Sequence, residues 1–222
     1  MIEPDVSDSL LRQRTNLQTA LLWSGIAGGV LFSATYFCFG LISPNYYMIH
    51  EPISRLQLQP YGWIQSANYI IFGLLICSFA IALRKELVGG FGSTTIPFFY
   101  ILTGLGAIVL GLSLNHQVQF YTRGIVFLSL IMSLLLLTRR FSAAPQWRGW
   151  TTYTVLTVLL MIVLCALLIY STSRNGSLTG VFERLIVIAR LVWLIFFTTR
   201  LLGGRSLAPV TNDGVNAVIS ES

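Results

Sequence analysis

The sequence predicts an all-α integral membrane protein: a six-transmembrane-helix bundle with both termini cytoplasmic. Three observations carry this reading. Hydrophobic residues make up 55% of the 222 and charged residues 10%, with a mean hydropathy of +0.74, a balance that leaves too little polar surface to cover a water-soluble domain. Six runs reach the roughly 20 apolar residues that a helix needs to cross about 30 Å of hydrocarbon. The basic residues gather at alternate connections, as the positive-inside rule requires.

Residues 1–17 read as a cytoplasmic N-terminal segment. Glu3, Asp5 and Asp8, and the length of the apolar run behind them, favour an uncleaved signal anchor over the n-region of a cleaved signal peptide. Spans follow over 18–42, 62–83, 96–114, 119–138, 150–171 and 180–202, making one membrane domain over 18–204. The runs lack period-2 alternation and are longer than barrel strands, which excludes a β-barrel. The tail 205–222, "RSLAPVTNDGVNAVISES", is polar and turn-rich and is expected to be disordered. Gly25, Gly29 and Ser33 in the first span, and Thr103, Ala107 and Gly111 in the third, recur every four residues. Such faces allow close backbone approach, within the bundle or at a seam between two copies in a homo-oligomer. Pro97 suits the first turn of the third span, where a missing N–H is harmless. The two halves share no similarity that would mark an inverted repeat.

The net charge of +6 rests on 14 basic residues that are scattered, with no block longer than Arg139-Arg140, so nucleic acid is not an expected partner. With the N-terminus inside, the inner flanks hold nine of them: Arg12, Arg14, Arg84, Lys85, Arg139, Arg140, Arg148, Arg200 and Arg205. The outer flanks hold four, Arg55, Arg123, Arg174 and Arg184, and Arg190 remains mid-span. Cys38, Cys77 and Cys165 all fall inside spans without ligand spacing, so they read as packing residues, and neither a metal nor another cofactor is expected.

One polar segment interrupts this apolar pattern: residues 50–63, "HEPISRLQLQPYGW". Pro52 reads as the first residue of a short helix in which Ile53, Leu56 and Gln57 share a face. Tyr46, Tyr47, Tyr61 and Trp63 read as headgroup-level anchors. The loop is then either an anchored connection or a lid whose His50, Glu51, Ser54 and Arg55 cover a pocket. Gln65, Ser66 and Asn68 open the second span, His116, Gln117 and Arg123 the fourth, and Glu183 and Arg184 the sixth, all at the loop's depth. Charges in lipid are costly, so Glu183 is expected to pair with Arg123, Arg55 or Arg184. Arg190 lies near the midplane, too deep to reach either surface easily. It shares a helical face with Glu183, Val187 and Leu194. Its expected partners are Thr157, Ser129, Ser133, a backbone carbonyl or an anionic ligand.

No HExxH, GxSxG or phosphate-binding glycine loop is present, and no span holds two carboxylates. A catalytic set would have to come from His50, His116 and Glu183, with Glu183 as acid or base. The stretch "HEPISRLQLQPYGWIQSANYIIFGLLICSFAIALRKEL", residues 50–87, and "ERLIVIARLVW", residues 183–193, resemble the bacterial and archaeal membrane family called domain of unknown function 998. In that pattern His50, Ile53 and Ser54 match the loop, while Glu51 is inserted before Pro52. Where relatives carry an acidic residue and further histidines, "SLNHQVQFYTRGIVFL" offers Asn115, Arg123-Gly124 and Phe127. The resemblance implies six spans in a prokaryotic cytoplasmic membrane and assigns no biochemical role.

Three roles follow as expectations. The first is a protein that binds or moves a small amphiphile or lipid headgroup in an outer-side polar pocket built from His50, Ser54, Arg55, Asn68, Arg123, Glu183 and Arg190. The second is an intramembrane enzyme acting on a lipid or isoprenoid. The third is a scaffold subunit. Membrane lipids are the expected partners, together with a small amphiphilic or anionic ligand in the first case.

Overall fold

The computed structural model describes residues 16–87, 89–174 and 178–203. The expected cytoplasmic segment up to residue 15, with Arg12 and Arg14, and the expected disordered tail with Arg205 lie outside the described residues. Six α-helices run through the rest: α1 Asn16–Ile42, α2 Trp63–Glu86, α3 Thr95–Leu112, α4 His116–Ser142, α5 Trp150–Ser173 and α6 Thr179–Leu202. All six are long and apolar enough to cross a membrane, and no strand occurs among the described residues.

The helix ends have local causes. The Asn115 side chain accepts from the backbone N–H groups of Gln117 and Val118 at 2.9 and 3.3 Å, capping α4. Gly149 precedes α5 with φ of 85°, a left-handed conformation that a side chain would resist. Pro97 is the third residue of α3, inside its first turn as expected. The fourth helix runs past its expected 119–138 at both ends, and its last turn takes in Arg139 and Arg140. The positive charges there oppose the negative end of the helix dipole.

Each helix packs on its neighbour in sequence, and α6 packs back on α1, so the six form a closed ring. The tightest seam is α2 against α3. A Cβ on Gly73 would collide with the carbonyl oxygen of Gly104, and one on Gly104 would lie 2.5 Å from Cys77 Sγ. Gly111 continues the seam, where a Cβ would stand 2.6 Å from the Ser66 carbonyl. On α1 the expected small-residue face divides between two partners. Gly25 lies against Phe79 of α2 and Gly29 against Leu191 of α6. Gly25, Gly29 and Gly111 thus each meet a neighbouring helix of the bundle.

The end of the ring where α2, α4 and α6 finish is closed by aromatic and basic side chains. Phe141 stacks on Trp147 and Trp193 on Phe197, both with ring centroids 4.8 Å apart. Arg140 donates to the Phe91 carbonyl at 2.9 Å, and the Arg139 guanidinium lies 4.1 Å from the Phe91 ring centroid. The other end is closed by the long connection 43–62. It contains the short helix expected after Pro52, in 3-10 form over Ile53–Leu58, with Pro52 as its N-cap rather than its first helical residue. Ile53, Leu56 and Gln57 are buried as expected, and so is Ser54.

Gly73→Ala is expected to destabilise the bundle by about 1–3 kcal/mol, because the backbone beside it cannot yield as a side chain would. Gly124→Ala, with nothing within 4 Å of the added carbon, should be neutral or gain up to about 1 kcal/mol of helix propensity. Reversible unfolding in mixed micelles compares the two. Equal effects would show that the α2–α3 seam does not set the stability.

Candidate functional site

The loop is held to the bundle by two adjacent residues of α6. The Glu183 carboxylate accepts from the backbone N–H of Ile53 at 2.6 Å, which caps the first turn of the 3-10 helix from a distant part of the chain. Arg184 donates through Nη1 to the carbonyls of Met48, Glu51 and Gly180, and through Nη2 to the Tyr46 hydroxyl at 2.6 Å. That hydroxyl in turn donates to the Pro52 carbonyl at 3.2 Å. Tyr46 is therefore buried in the fastening, whereas Tyr47, Tyr61 and Trp63 are exposed. Burial pushes the Tyr46 phenol up to about 12, against the opposing pull of Arg184.

The expected pairing of Glu183 with an arginine does not occur. Among the described residues Glu183 has no ion pair, and the loop's own bridge is Arg55 Nε to Glu51 Oε1 at 3.3 Å, with the Arg55 side chain 58% exposed. A short backbone N–H bond to a carboxylate does the same work as a distant cation, because it is charge-assisted and already in place.

Behind the fastening lies a second polar layer. Arg123 Nη2 donates to Ser54 Oγ at 2.9 Å and to Gln119 Oε1 at 3.2 Å, while its buried Nε has no partner among the described residues. Gln119 Nε2 donates to Gln57 Oε1 and to the Ser113 carbonyl, both at 2.8 Å. Gln57 Nε2 passes the chain on to Ser66 Oγ at 3.0 Å and the Leu110 carbonyl at 2.9 Å. Asn68 Nδ2 reaches the Phe32 carbonyl at 3.1 Å, tying α2 to α1. Of the candidate residues, Ser54, Arg123 and Glu183 thus meet at the loop, with Arg123 donating to Ser54 and Glu183 accepting from Ile53, whereas Asn68 bonds to α1 and to Gln65. His50 and His116 are both exposed. Gln57, Gln119, Tyr46 and Arg184 complete this layer and are absent from the candidate set. The signal for the glutamines is their position, since each lies beside an apolar run where an amide needs a partner.

Arg190 differs from all of these. It makes no hydrogen bond and no ion pair among the described residues, and its guanidinium carbon lies 4.6 Å from the Phe72 ring centroid. Two of the hydroxyls expected to meet it turn to their own helices. Ser133 donates to the Leu130 carbonyl and Thr157 to the Tyr153 carbonyl. Beside Arg190 is an internal cavity of about 10 Å³ walled by Ile76, Tyr100, Thr103, Leu130, Trp193 and Leu194, space for about one water molecule. The cavity walls come from α2, α3, α4 and α6, so Arg190 stands at the middle of the ring.

Arg184→Met removes the donors that hold three carbonyls and the Tyr46 hydroxyl. Amide hydrogen exchange over residues 46–58 is expected to quicken at least tenfold, while α2 and α3 stay protected. An unchanged loop would mean that Glu183 alone suffices. Because the folded phenol of Tyr46 binds its proton more tightly than a free one, the contribution of this contact is complete below pH 10 and lost as pH rises towards about 12. Tyr46→Phe should flatten that arm of a stability profile.

Comparison with protein families matches residues 26–200 to the family described as Protein of unknown function (DUF998). No curated protein and no solved structure matches the chain. The match spans all but the first turns of α1 and the end of α6, and it takes in the loop, the polar layer and Arg190. The chain, a multi-pass membrane protein of six helices, belongs to the DUF998 family.

Proposed function

We propose that the ring binds an anionic amphiphile, a lipid or lipid-like molecule whose headgroup pairs with Arg190 under the roof formed by residues 43–62. The observation that carries this reading is the arginine itself, a charge inside the bundle with an aromatic ring as its neighbour and no carboxylate paired with it among the described residues. Insertion scales put an arginine at a helix centre at roughly 2.5–3.5 kcal/mol unfavourable. A desolvated cation–π contact returns about 2 kcal/mol. The balance stays unfavourable until an anion joins. A cavity of about 10 Å³ is smaller than any headgroup, so binding requires α6 to move away from α2 and α3. Support for that comes from the packing: only 28% of the apolar window of α5 and of α6 is buried, against 50% in α2 and α3. The helix that holds both the roof and the charge, α6, is thus among the least buried in the ring.

In this reading the loop end faces outward from a cytoplasmic membrane of prokaryotic type. Support comes from Arg84, Lys85, Arg139, Arg140, Arg148 and Arg200 at the opposite end, a charge bias that favours the inner side. A scaffold role is the second reading, favoured by the mutual satisfaction of the polar groups beneath the loop.

Lipids retained by the purified chain, quantified by mass spectrometry per mole of protein, decide between them. One equivalent of an anionic species is expected with the wild type, reduced with Arg190→Lys and lost with Arg190→Leu. If Arg190→Leu retains as many moles of anionic lipid per mole of protein as the wild type, ligand binding at this residue is wrong. If it is also more stable, the scaffold reading stands, since removing a buried charge spares its desolvation.

A further inference from the structure

We propose a second lipid site at the basic end of the bundle, a groove between the start of α5 and the end of α6 that seats an anionic phospholipid of the adjoining leaflet. It is separate from the chamber at Arg190 and does not rest on it. The groove is open, measures about 420 Å³ and is lined by Trp150, Phe196, Thr199, Arg200 and Gly203. That is the size range of small-molecule sites. Its depth is fixed by the helices: α5 begins here and α6 ends here, so the groove lies where the chain leaves the hydrocarbon.

The walls divide by chemistry in the way a phospholipid does. Phe196 is 56% exposed and faces the apolar side. Trp150 offers an indole, the ring that favours headgroup level. Arg200 supplies the charge, and the protein holds it in place. Its Nη2 donates to the Gln146 carbonyl at 3.0 Å, and its guanidinium carbon lies 5.3 and 5.2 Å from the ring centroids of Trp147 and Trp150. A guanidinium fixed against two indoles loses little freedom on meeting a phosphate. The surrounding charge selects the headgroup. Arg84, Lys85, Arg139, Arg140 and Arg148 crowd the same end, and Glu86 is the one acidic residue there among the described residues. A zwitterionic lipid would bring its own cation into that field, whereas an anionic one brings none.

Native mass spectrometry of the full chain in micelles holding equal phosphatidylglycerol and phosphatidylcholine tests the site. Preferential retention of phosphatidylglycerol is expected. Arg200→Gln should lower it about fivefold, the factor expected of one basic residue at an anionic surface. Because Arg200 also packs on Trp147, Thr199→Glu is the second variant. Thr199 is exposed and bonds only carbonyls of its own helix, those of Ile195 and Phe196, so a carboxylate there repels the headgroup without disturbing the fold. It should lower phosphatidylglycerol retention at least as much, leave phosphatidylcholine unchanged and leave any lipid lost in Arg190→Leu in place. Equal retention by Thr199→Glu and wild type overturns the proposal. So does displacement by millimolar inorganic phosphate, which would mark a free-anion site. No preference for phosphatidylglycerol also overturns it, including the case in which the chain's own C-terminal residues occupy the groove.

Discussion

Hydrocarbon offers no hydrogen bonds, so every polar group that enters it must meet another group of the same chain. This constraint explains the loop end. Glu183 and Arg184 are neighbours of opposite charge, yet both turn to loop backbone instead of to an opposite charge. Gln57, Gln119, Ser54 and Arg123 form a chain in which each accepts from one group and donates to another where its chemistry allows. The loop is polar because it is the counterpart of the polar ends of α2, α4 and α6. Arg190 stands outside this accounting, which is why it bears the functional reading.

The fold was legible to a high degree, and the reason is physical. A span announces itself by length and hydropathy alone, so all six helices fall within a few residues of expectation. Boundaries moved where local chemistry intervened, as at Asn115, whose cap starts α4 early, and at Arg139-Arg140, which prolong it. Helix contacts were legible only in part. Gly25, Gly29 and Gly111 were recognised as packing residues, but the closest crossing uses Gly73 and Gly104. Those two belong to different spans, and no spacing within one span reveals a pair across two.

The polar site was legible in its composition and less so in its pairing. Residues with costly groups could be named from sequence, because few exist in so apolar a chain. Which of them meet could not, since depth along a helix is readable while rotation about its axis is fixed by neighbours. Glu183 illustrates the limit: a cation was the economical guess, and a backbone N–H is what it finds. Tyr46 shows the converse, a ring whose place among exposed tyrosines hid its partnership with Arg184. In contrast, Arg190 was singled out by its charge, and it lies against the Phe72 ring while Ser133 and Thr157, two of the hydroxyls proposed for it, are engaged elsewhere.

The packing of α6 against α1 has a consequence for how the protein is made. Helices entering the bilayer in order leave the first connection without its fastening to Glu183 and Arg184 until the last one arrives, because Ile53 and Glu183 are 130 residues apart. Four helices can settle early on local contacts, but the chain's interior stays open to lipid through most of synthesis. Closure of the ring is therefore the last step of assembly, and one helix supplies both the seal and the fastening of the roof.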